Sequence, residues 1–138
     1  MSKPYKPDGM PSLIPYLTIK NAENSIKFYR EAFGCEVIQE SRDEKNNIQH
    51  IEMRLEEAIF MFCPEGAFGT TNKAPVTQNI TMPINLYVYC KDVDAFYNKA
   101  LQHGAVSKIA PNNGFWGDRF CALTDIDGYE WSFATYLG

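Results

Sequence analysis

The chain has 138 residues, of which 45% are hydrophobic and 22% charged, and its net charge is −4. This length and composition are typical of one soluble globular domain. An acidic chain without a basic stripe is a poor partner for nucleic acid. No apolar run approaches the roughly 20 residues that cross a bilayer. We therefore expect neither a nucleic-acid partner nor a membrane partner.

The N-terminal segment, residues 1–11, is polar and contains Pro and Gly. It has no apolar core of the kind found in signal peptides, so we predict a flexible leader. The chain has four cysteines, and none forms a CxxC pair. Cysteines of this kind are usually buried thiols in a reducing compartment. We therefore expect a cytoplasmic protein without disulfide bonds.

The first half of the chain, about residues 12–63, has the pattern of one strand, one helix and three further strands. Alternating apolar residues predict a strand at 14–20. Asn21 can cap a helix at 23–33, and Gly34 suits its C-terminal end. Three further strands are predicted at 36–42, 48–55 and 58–63. The last two should form a hairpin.

The second half, about residues 83–137, repeats this pattern after a linker at 64–82 that is rich in Pro, Gly, Thr and Asn. A strand is predicted at 84–90, followed by a helix at 93–103 between Asp92 and Gly104. The remaining segments are a strand at 105–109, a loop at 111–117, and strands at 119–124 and 129–136.

The two halves are copies of one unit. Asn21 and Asp92 lie 71 positions apart, and Gly34 and Gly104 lie 70 apart. The order βαβββ, repeated once, predicts an α+β fold in a single domain at 12–138, with helices outside and a cleft between two sheets.

Strand alternation predicts which side chains line that cleft, because successive residues point to opposite faces of a sheet. The apolar residues of each strand should cover the helices. The opposite faces then present these residues to the cleft: Tyr16, His50, Glu52, Arg54, Asn85, Tyr87, Tyr89, Glu130 and Ser132. A shift of 71 also pairs Cys121 with His50, which favours Arg119, Cys121 and Leu123 on the cleft side.

The segments IPYLTIKNAENSIKFYREAFG and FWGDRFCALTDIDGYEWSFATY resemble the vicinal oxygen chelate (VOC) superfamily, and its PhnB-like branch most closely. This superfamily contains glyoxalases, bleomycin-resistance proteins and dioxygenases. The resemblance covers about residues 12–136. It implies a glyoxalase/bleomycin-resistance-like half-barrel that is commonly a homodimer. Known members include metal-dependent lyases, isomerases, dioxygenases and thiol transferases, and also metal-free drug-binding proteins.

The resemblance also implies where a metal would bind. The four ligand positions of the family correspond here to Ile14, Met61, Asn85 and Ser132. None of these side chains is an imidazole or a carboxylate, the groups that bind divalent ions in such sites. We therefore predict no metal at the usual site and no other cofactor. A displaced site that uses His50, Glu52 and Glu130 is the alternative.

Two classes of function remain open. The first is a binding protein for an aromatic or cationic small molecule, in which Trp116 stacks on a planar ligand and Arg119 meets an anionic group. The same loop residues are equally consistent with simple packing and an ion pair. The second is a VOC-fold enzyme of the lyase, isomerase or dioxygenase type, with a displaced metal or with His50 and Glu52 as catalytic acid–base groups.

Simpler interpretations remain open beside these. His50 and Glu52 also fit a salt-bridged strand face. An activated thiol at Cys121 would require His50 beside it. A dimeric structural or regulatory module with a vestigial cleft is a third possibility.

Overall fold

The computed structural model describes residues 2–138. The first repeat is built from Tyr16–Ile19 (β1), Ala22–Phe33 (α1), Glu36–Arg42 (β2), Ile48–Leu55 (β3) and Ala58–Pro64 (β4). The linker contains a 3-10 turn at Ala67–Gly69 and a short helix at Pro75–Gln78 (α2). The second repeat consists of Asn85–Tyr89 (β5), Val93–Gln102 (α3), Val106–Asn113 (β6), Asp118–Thr124 (β7) and Glu130–Tyr136 (β8).

Each repeat folds into one four-stranded sheet. The strand orders are β1-β4-β3-β2 in sheet 1 and β5-β8-β7-β6 in sheet 2. The pairs β1–β4 and β5–β8 are parallel, and the other pairs are antiparallel. The predicted α+β class and the duplicated βαβββ unit are confirmed.

The two long helices begin at equivalent polar caps. The Asn24 amide donates to Asn21 Oδ1 at 3.0 Å, and the Ala95 amide donates to Asp92 Oδ1 at 3.1 Å. Each cap satisfies one of the amides that lack a partner in the first turn of a helix. Gly34 ends α1 in the left-handed conformation at φ 71°.

The apolar faces of both sheets meet in one core. Phe60 of β4 touches Trp131 of β8 with ring centroids 5.2 Å apart, and Tyr29 of α1 contacts both rings. Helix α1 therefore packs against the two sheets together with one face buried, while its other face stays exposed. The opposite face of each sheet, called here its outer face, points away from this core.

The pairing of β7 with β8 corrects the prediction of which β7 side chains point to the core. Met53 pairs with Phe60, whereas Leu123 pairs with Trp131, so the repeats are shifted by 70 at β3 (53 to 123) and by 71 at β4 (60 to 131). The turn between β7 and β8 is thus one residue longer than the turn between β3 and β4. Because a slip of one residue exchanges the two faces of a strand, the predicted orientation of β7 is wrong. Its core face carries Arg119, Cys121 and Leu123.

That longer turn fastens the two repeats to each other. The carboxylate of Asp125 accepts from the Tyr29 hydroxyl at 2.6 Å and from the Trp131 indole at 2.8 Å. Asp127 accepts from the Lys20 amide at 2.9 Å and from the Ser25 hydroxyl at 2.7 Å. Most of these bonds join residues about one hundred positions apart, so the turn holds the second repeat on the first.

Within residues 2–138, no helix combines the length and the apolar character that crossing a membrane would require.

Candidate functional site

A hydrogen-bonded chain of three side chains lies on the outer face of sheet 1. The Tyr16 hydroxyl is 2.8 Å from His50 Nδ1, and His50 Nε2 is 2.9 Å from a carboxylate oxygen of Glu52. A carboxylate can only accept, so the hydrogen of the neutral imidazole lies on Nε2, and Nδ1 accepts from Tyr16. We call these residues the sheet-1 triad. The two predicted acid–base residues are therefore in contact.

The triad is partly shielded from solvent. The side chain of His50 is 18% exposed and that of Glu52 is 13% exposed. The leader passes close by, since leader residues share a cavity with Glu52 and Met61. Burial raises the pKa of Tyr16 to about 12, and the neighbouring Cys63 adds to the shift. Tyr16 is therefore a protonated donor at neutral pH.

A second cluster lies on the outer face of sheet 2. One carboxylate oxygen of Asp118 accepts from the Tyr87 hydroxyl at 2.7 Å and the Tyr89 hydroxyl at 2.7 Å. The Trp116 indole donates to the same oxygen at 3.1 Å. The Trp116 ring also packs on the Phe120 ring, with the ring centroids 4.9 Å apart. We call these four aromatic residues and Asp118 the aromatic panel.

The panel combines a buried charge with exposed rings. Asp118 is 2% exposed, whereas Tyr87, Tyr89 and Trp116 are 43%, 55% and 46% exposed. The hydrogen bond from Tyr87 is the largest cause that lowers the pKa of Asp118, so this side chain is anionic at neutral pH. None of the ion pairs found within residues 2–138 involves Asp118. The panel is therefore an aromatic surface above a negative charge.

Three other predicted ligand-binding residues share this outer face. Asn85 pairs with Glu130, and Tyr87 pairs with Ser132. The Glu130 carboxylate accepts from Lys108 Nζ at 3.0 Å and from the Thr124 hydroxyl at 2.9 Å. The charge of Glu130 is thus already compensated.

The remaining predicted residues lie elsewhere. Arg119 is on the core face of β7, where its guanidinium binds the carboxylate of Asp94 on α3 at 2.8 and 3.0 Å. The guanidinium therefore lies on the helix side of β7 and already has an ion-pair partner, in line with the simpler interpretation of packing and an ion pair. Arg54 is on the outer face of β3, as predicted. Its guanidinium donates to the carboxylate of Glu36 at 2.9 Å, and Glu36 belongs to β2, the edge strand of sheet 1. Cys121 is fully buried on the core face, away from the outer face that carries His50.

Comparison with known proteins places this geometry in a family. The family model described as Glyoxalase/Bleomycin resistance protein/Dioxygenase superfamily matches residues 13–133. The chain belongs to this superfamily.

Individual relatives agree with the assignment. An uncharacterised protein of Mycobacterium bovis is 27% identical over 124 residues, which cover 88% of this chain and 81% of that protein. The crystal structure of TioX from Micromonospora sp. ML1 superposes with a TM-score of 0.73 at 19% identity, over 92% of this chain and 99% of that one. A PhnB protein from Bacillus cereus, described as a putative 3-demethylubiquinone-9 3-methyltransferase, has a TM-score of 0.64 at 20% identity, over 91% and 99%. The structural matches show the fold.

Some members of the superfamily hold a metal, but the four corresponding positions of this chain do not fit one. Met61 pairs with Tyr16 on sheet 1, whereas Ser132 and Asn85 lie on sheet 2. A thioether, an amide and a hydroxyl offer no anionic ligand, and Ile14 offers no ligand atom. In the part of the chain that the structure describes, no three His, Cys, Asp or Glu side chains form a metal-binding cluster. His50, Glu52 and Glu130 are therefore not brought together within one chain.

Sequence reasoning missed Asp118 and Phe120 as members of the outer-face cluster. Both lie on the face of β7 that was assigned to the core. The signal that identifies them is the alternation of β7 itself, since Cys121 and Leu123 are the more apolar pair around the small residue Ala122.

Proposed function

We propose that the protein binds a small aromatic or cationic molecule on the aromatic panel, without the metal site of its metalloenzyme relatives. The observation that carries the proposal is the convergence of three donors on one oxygen of the buried Asp118. The rings that supply those donors remain exposed. A cation above such rings is attracted both by their π faces and by the charge below, with about 0.5–2 kcal/mol from the π faces alone.

The test compares two ligands of the same shape. N-methylquinolinium is a planar cation, and quinoline is its neutral counterpart at neutral pH. We expect saturable quenching of tryptophan fluorescence by the cation and at least about tenfold weaker binding of quinoline, which corresponds to about 1.4 kcal/mol. Trp116→Phe identifies the tryptophan that reports, because Trp131 is buried.

Charge is tested by Asp118→Asn. This variant should bind the cation about tenfold more weakly, whereas Asp94→Asn, which removes a carboxylate on the helix side, should bind it like the wild type. Equal binding of the two ligands, or equal affinity of both variants, would contradict the proposal.

We also propose that the protein is a cytoplasmic homodimer. The outer faces lie on the far side of each sheet from the shared core, so one chain leaves the aromatic panel exposed and the sheet-1 triad only partly shielded. Phe115 at 98% and Tyr136 at 69% exposure extend the apolar surface of sheet 2. All four cysteines are free, as expected in a reducing compartment.

Sedimentation velocity tests the dimer. The wild type should sediment as a dimer, and Phe115→Lys should weaken association. Phe68→Lys, at another exposed phenylalanine in the linker, is the matched control. A wild-type monomer at micromolar concentration would refute the assembly.

A second candidate function is acid–base catalysis by the sheet-1 triad in a VOC-fold enzyme of the lyase, isomerase or dioxygenase type. It is favoured by the continuous hydrogen bonding from Tyr16 through His50 to Glu52, in which the carboxylate orients the imidazole. The test is exchange of carbon-bound hydrogen in a set of small ketones in D2O. Exchange that is lost in His50→Gln would support catalysis, and no exchange by the wild type would count against it.

A further inference from the structure

A cavity of about 610 Å³ lies between the two repeats, apart from the aromatic panel. Its walls come from β1, the linker and the start of β5 and β8. The apolar part of its lining includes Pro15, Leu17, Met82, Ile84, Leu86 and the ring of Tyr129. We call this cavity the seam pocket. Its volume falls in the range of about 300–1,000 Å³ that is usual for small-molecule sites.

The linker wall of the seam pocket is held in place by hydrogen bonds. One carboxylate oxygen of Glu65 accepts from the Ala74 amide at 2.9 Å and from the Thr77 hydroxyl at 2.6 Å. The Val76 amide donates to the Asp127 carbonyl at 2.9 Å. The linker wall is therefore tied to Glu65 at the end of β4 and to the β7–β8 turn.

Three polar side chains of the lining, those of Tyr16, Tyr129 and Glu130, already have hydrogen-bond partners. Glu130 has its carboxylate bonded to Lys108 and Thr124. The Tyr129 hydroxyl accepts from the Thr18 amide at 2.9 Å and donates to the Thr18 carbonyl at 2.8 Å. Lys73, the other charged side chain of the lining, is exposed to solvent. Among the lining residues no buried charge is unpaired, so a charged ligand would lose hydration on entry without a desolvated counter-charge to replace it.

We propose that the seam pocket is a second binding site, specific for a neutral and largely apolar small molecule. Apolar walls with satisfied polar groups gain from excluding water at about 25 cal/mol per Å² of apolar area buried. The site is independent of the aromatic panel, which selects for positive charge. The two sites therefore differ in the charge of the ligand that they accept.

The probe is N-phenyl-1-naphthylamine, a neutral apolar fluorophore. We expect saturable binding to the wild type with one probe per chain, and intermolecular NOEs from the probe to the methyl groups of Ile84 and Leu86. Ile84→Glu places a charge in the wall and should weaken binding at least about tenfold. Ile80→Glu makes the same substitution in the same segment at a residue outside the lining, and it should bind like the wild type.

Two further variants complete the test. Gln78→Trp should block the pocket from the linker side and weaken binding even if Ile84→Glu fails to fold. Trp116→Ala should leave binding of the probe unchanged. The proposal is overturned if the wild type shows no saturable binding, if both pocket variants bind like the wild type, if Ile80→Glu loses as much affinity as Ile84→Glu, or if Trp116→Ala abolishes binding. The last result would place the probe on the aromatic panel. If the wild type binds N-phenyl-1-naphthylamine but does not bind N-methylquinolinium, the proposed function is refuted and the seam pocket proposal is not affected.

Discussion

Phe60 and Trp131 occupy equivalent positions of the two repeats, 71 residues apart, and their rings meet edge to face with centroids 5.2 Å apart. Contact between equivalent residues places the pseudo-twofold axis between them. Both side chains are on the core faces of their sheets, so the two sheets meet across this axis. The outer faces lie on the far side of each sheet from this contact, and the sheet-1 triad and the aromatic panel belong to different sheets.

The first prediction tests this central contact. Phe60→Ala should lower the free energy of unfolding by about 3–5 kcal/mol, because it leaves a cavity where three aromatic rings meet. Urea denaturation measures the change. Phe68→Ala, at a side chain in the linker that is 71% exposed, should stay within about 0.5 kcal/mol. A loss below about 1 kcal/mol in Phe60→Ala would show that the repeats do not depend on this contact.

Much of the fold can be predicted because local chemistry and tertiary structure agree in the helices and in most strands. Asn21 and Asp92 cap α1 and α3 as the sequence indicates. The alternation of β3, β5 and β8 assigns the correct residues to the outer faces. His50, Glu52 and Tyr16 thus share a face in the structure as predicted.

The orientation of β7 could not be obtained from the shift of the repeats, because the shift changes from 70 to 71 within the β7–β8 turn. A difference of one residue in a turn is small in an alignment but reverses a strand. Nor does sequence periodicity state which way two sheets face each other. That relationship depends on α1, whose Tyr29 and Phe33 pack on both repeats.

The second prediction concerns the free edge of β1. The hydroxyl of Tyr129 bonds to both the amide and the carbonyl of Thr18. Tyr129→Phe should therefore leave two backbone groups without a partner and cost about 1–3 kcal/mol of stability. Tyr97→Phe removes an exposed hydroxyl that is 2.7 Å from Ser107 Oγ and serves as the control. Equal stability of the two variants would contradict the role of Tyr129 in protecting the edge.

The third prediction is a pH dependence that arises at Asp125. Burial raises the pKa of Asp125 to about 6, in spite of the hydrogen bonds that it accepts. The folded state therefore binds this proton more tightly than the unfolded chain, whose Asp pKa is about 3.9. The contribution of Asp125 to the free energy of unfolding should fall as pH rises from about 4 to about 6, by roughly 3 kcal/mol at most.

Comparison with Asp125→Asn isolates this effect, because the variant cannot titrate at this position. Both proteins contain Asp118 and Asp94. The pKa values of these two carboxyl groups are lowered, so the stabilisation that they contribute is lost at low pH. Asn also loses acceptor capacity, so the variant should be less stable throughout. The stability difference between wild type and variant should shrink with rising pH. A difference that stays constant or grows would refute the raised pKa.

The fourth prediction concerns the tautomer of His50. Glu52 fixes the hydrogen on Nε2, and Tyr16 donates to Nδ1. In 15N NMR spectra of the wild type, the neutral form of the His50 imidazole should be a single tautomer with its hydrogen on Nε2. Glu52→Gln should populate the Nδ1-protonated form, since an amide can also donate to Nε2. Glu36→Gln is the control, because it alters a carboxylate of β2 that bonds to Arg54 and not to His50. It should leave the spectrum unchanged.

The last prediction returns to the turn that distinguishes the repeats. Gly128 has φ +95°, and a Cβ at this position would lie 2.9 Å from both Pro75 Cβ and the Val76 amide nitrogen. The linker wall of the seam pocket packs directly on this glycine, so neither the turn nor the linker can move away without breaking the bond from the Val76 amide to the Asp127 carbonyl.

Gly66 has φ +85°, but a Cβ added there would have nothing within 4 Å. Gly66→Ala should therefore carry only the cost of a left-handed backbone, about 1–2 kcal/mol. Gly128→Ala should carry the same cost and about 1–3 kcal/mol more from overpacking. Thermal and urea denaturation of both variants measure the difference. If the two variants lose equal stability, the close approach of turn and linker is not a constraint on the fold.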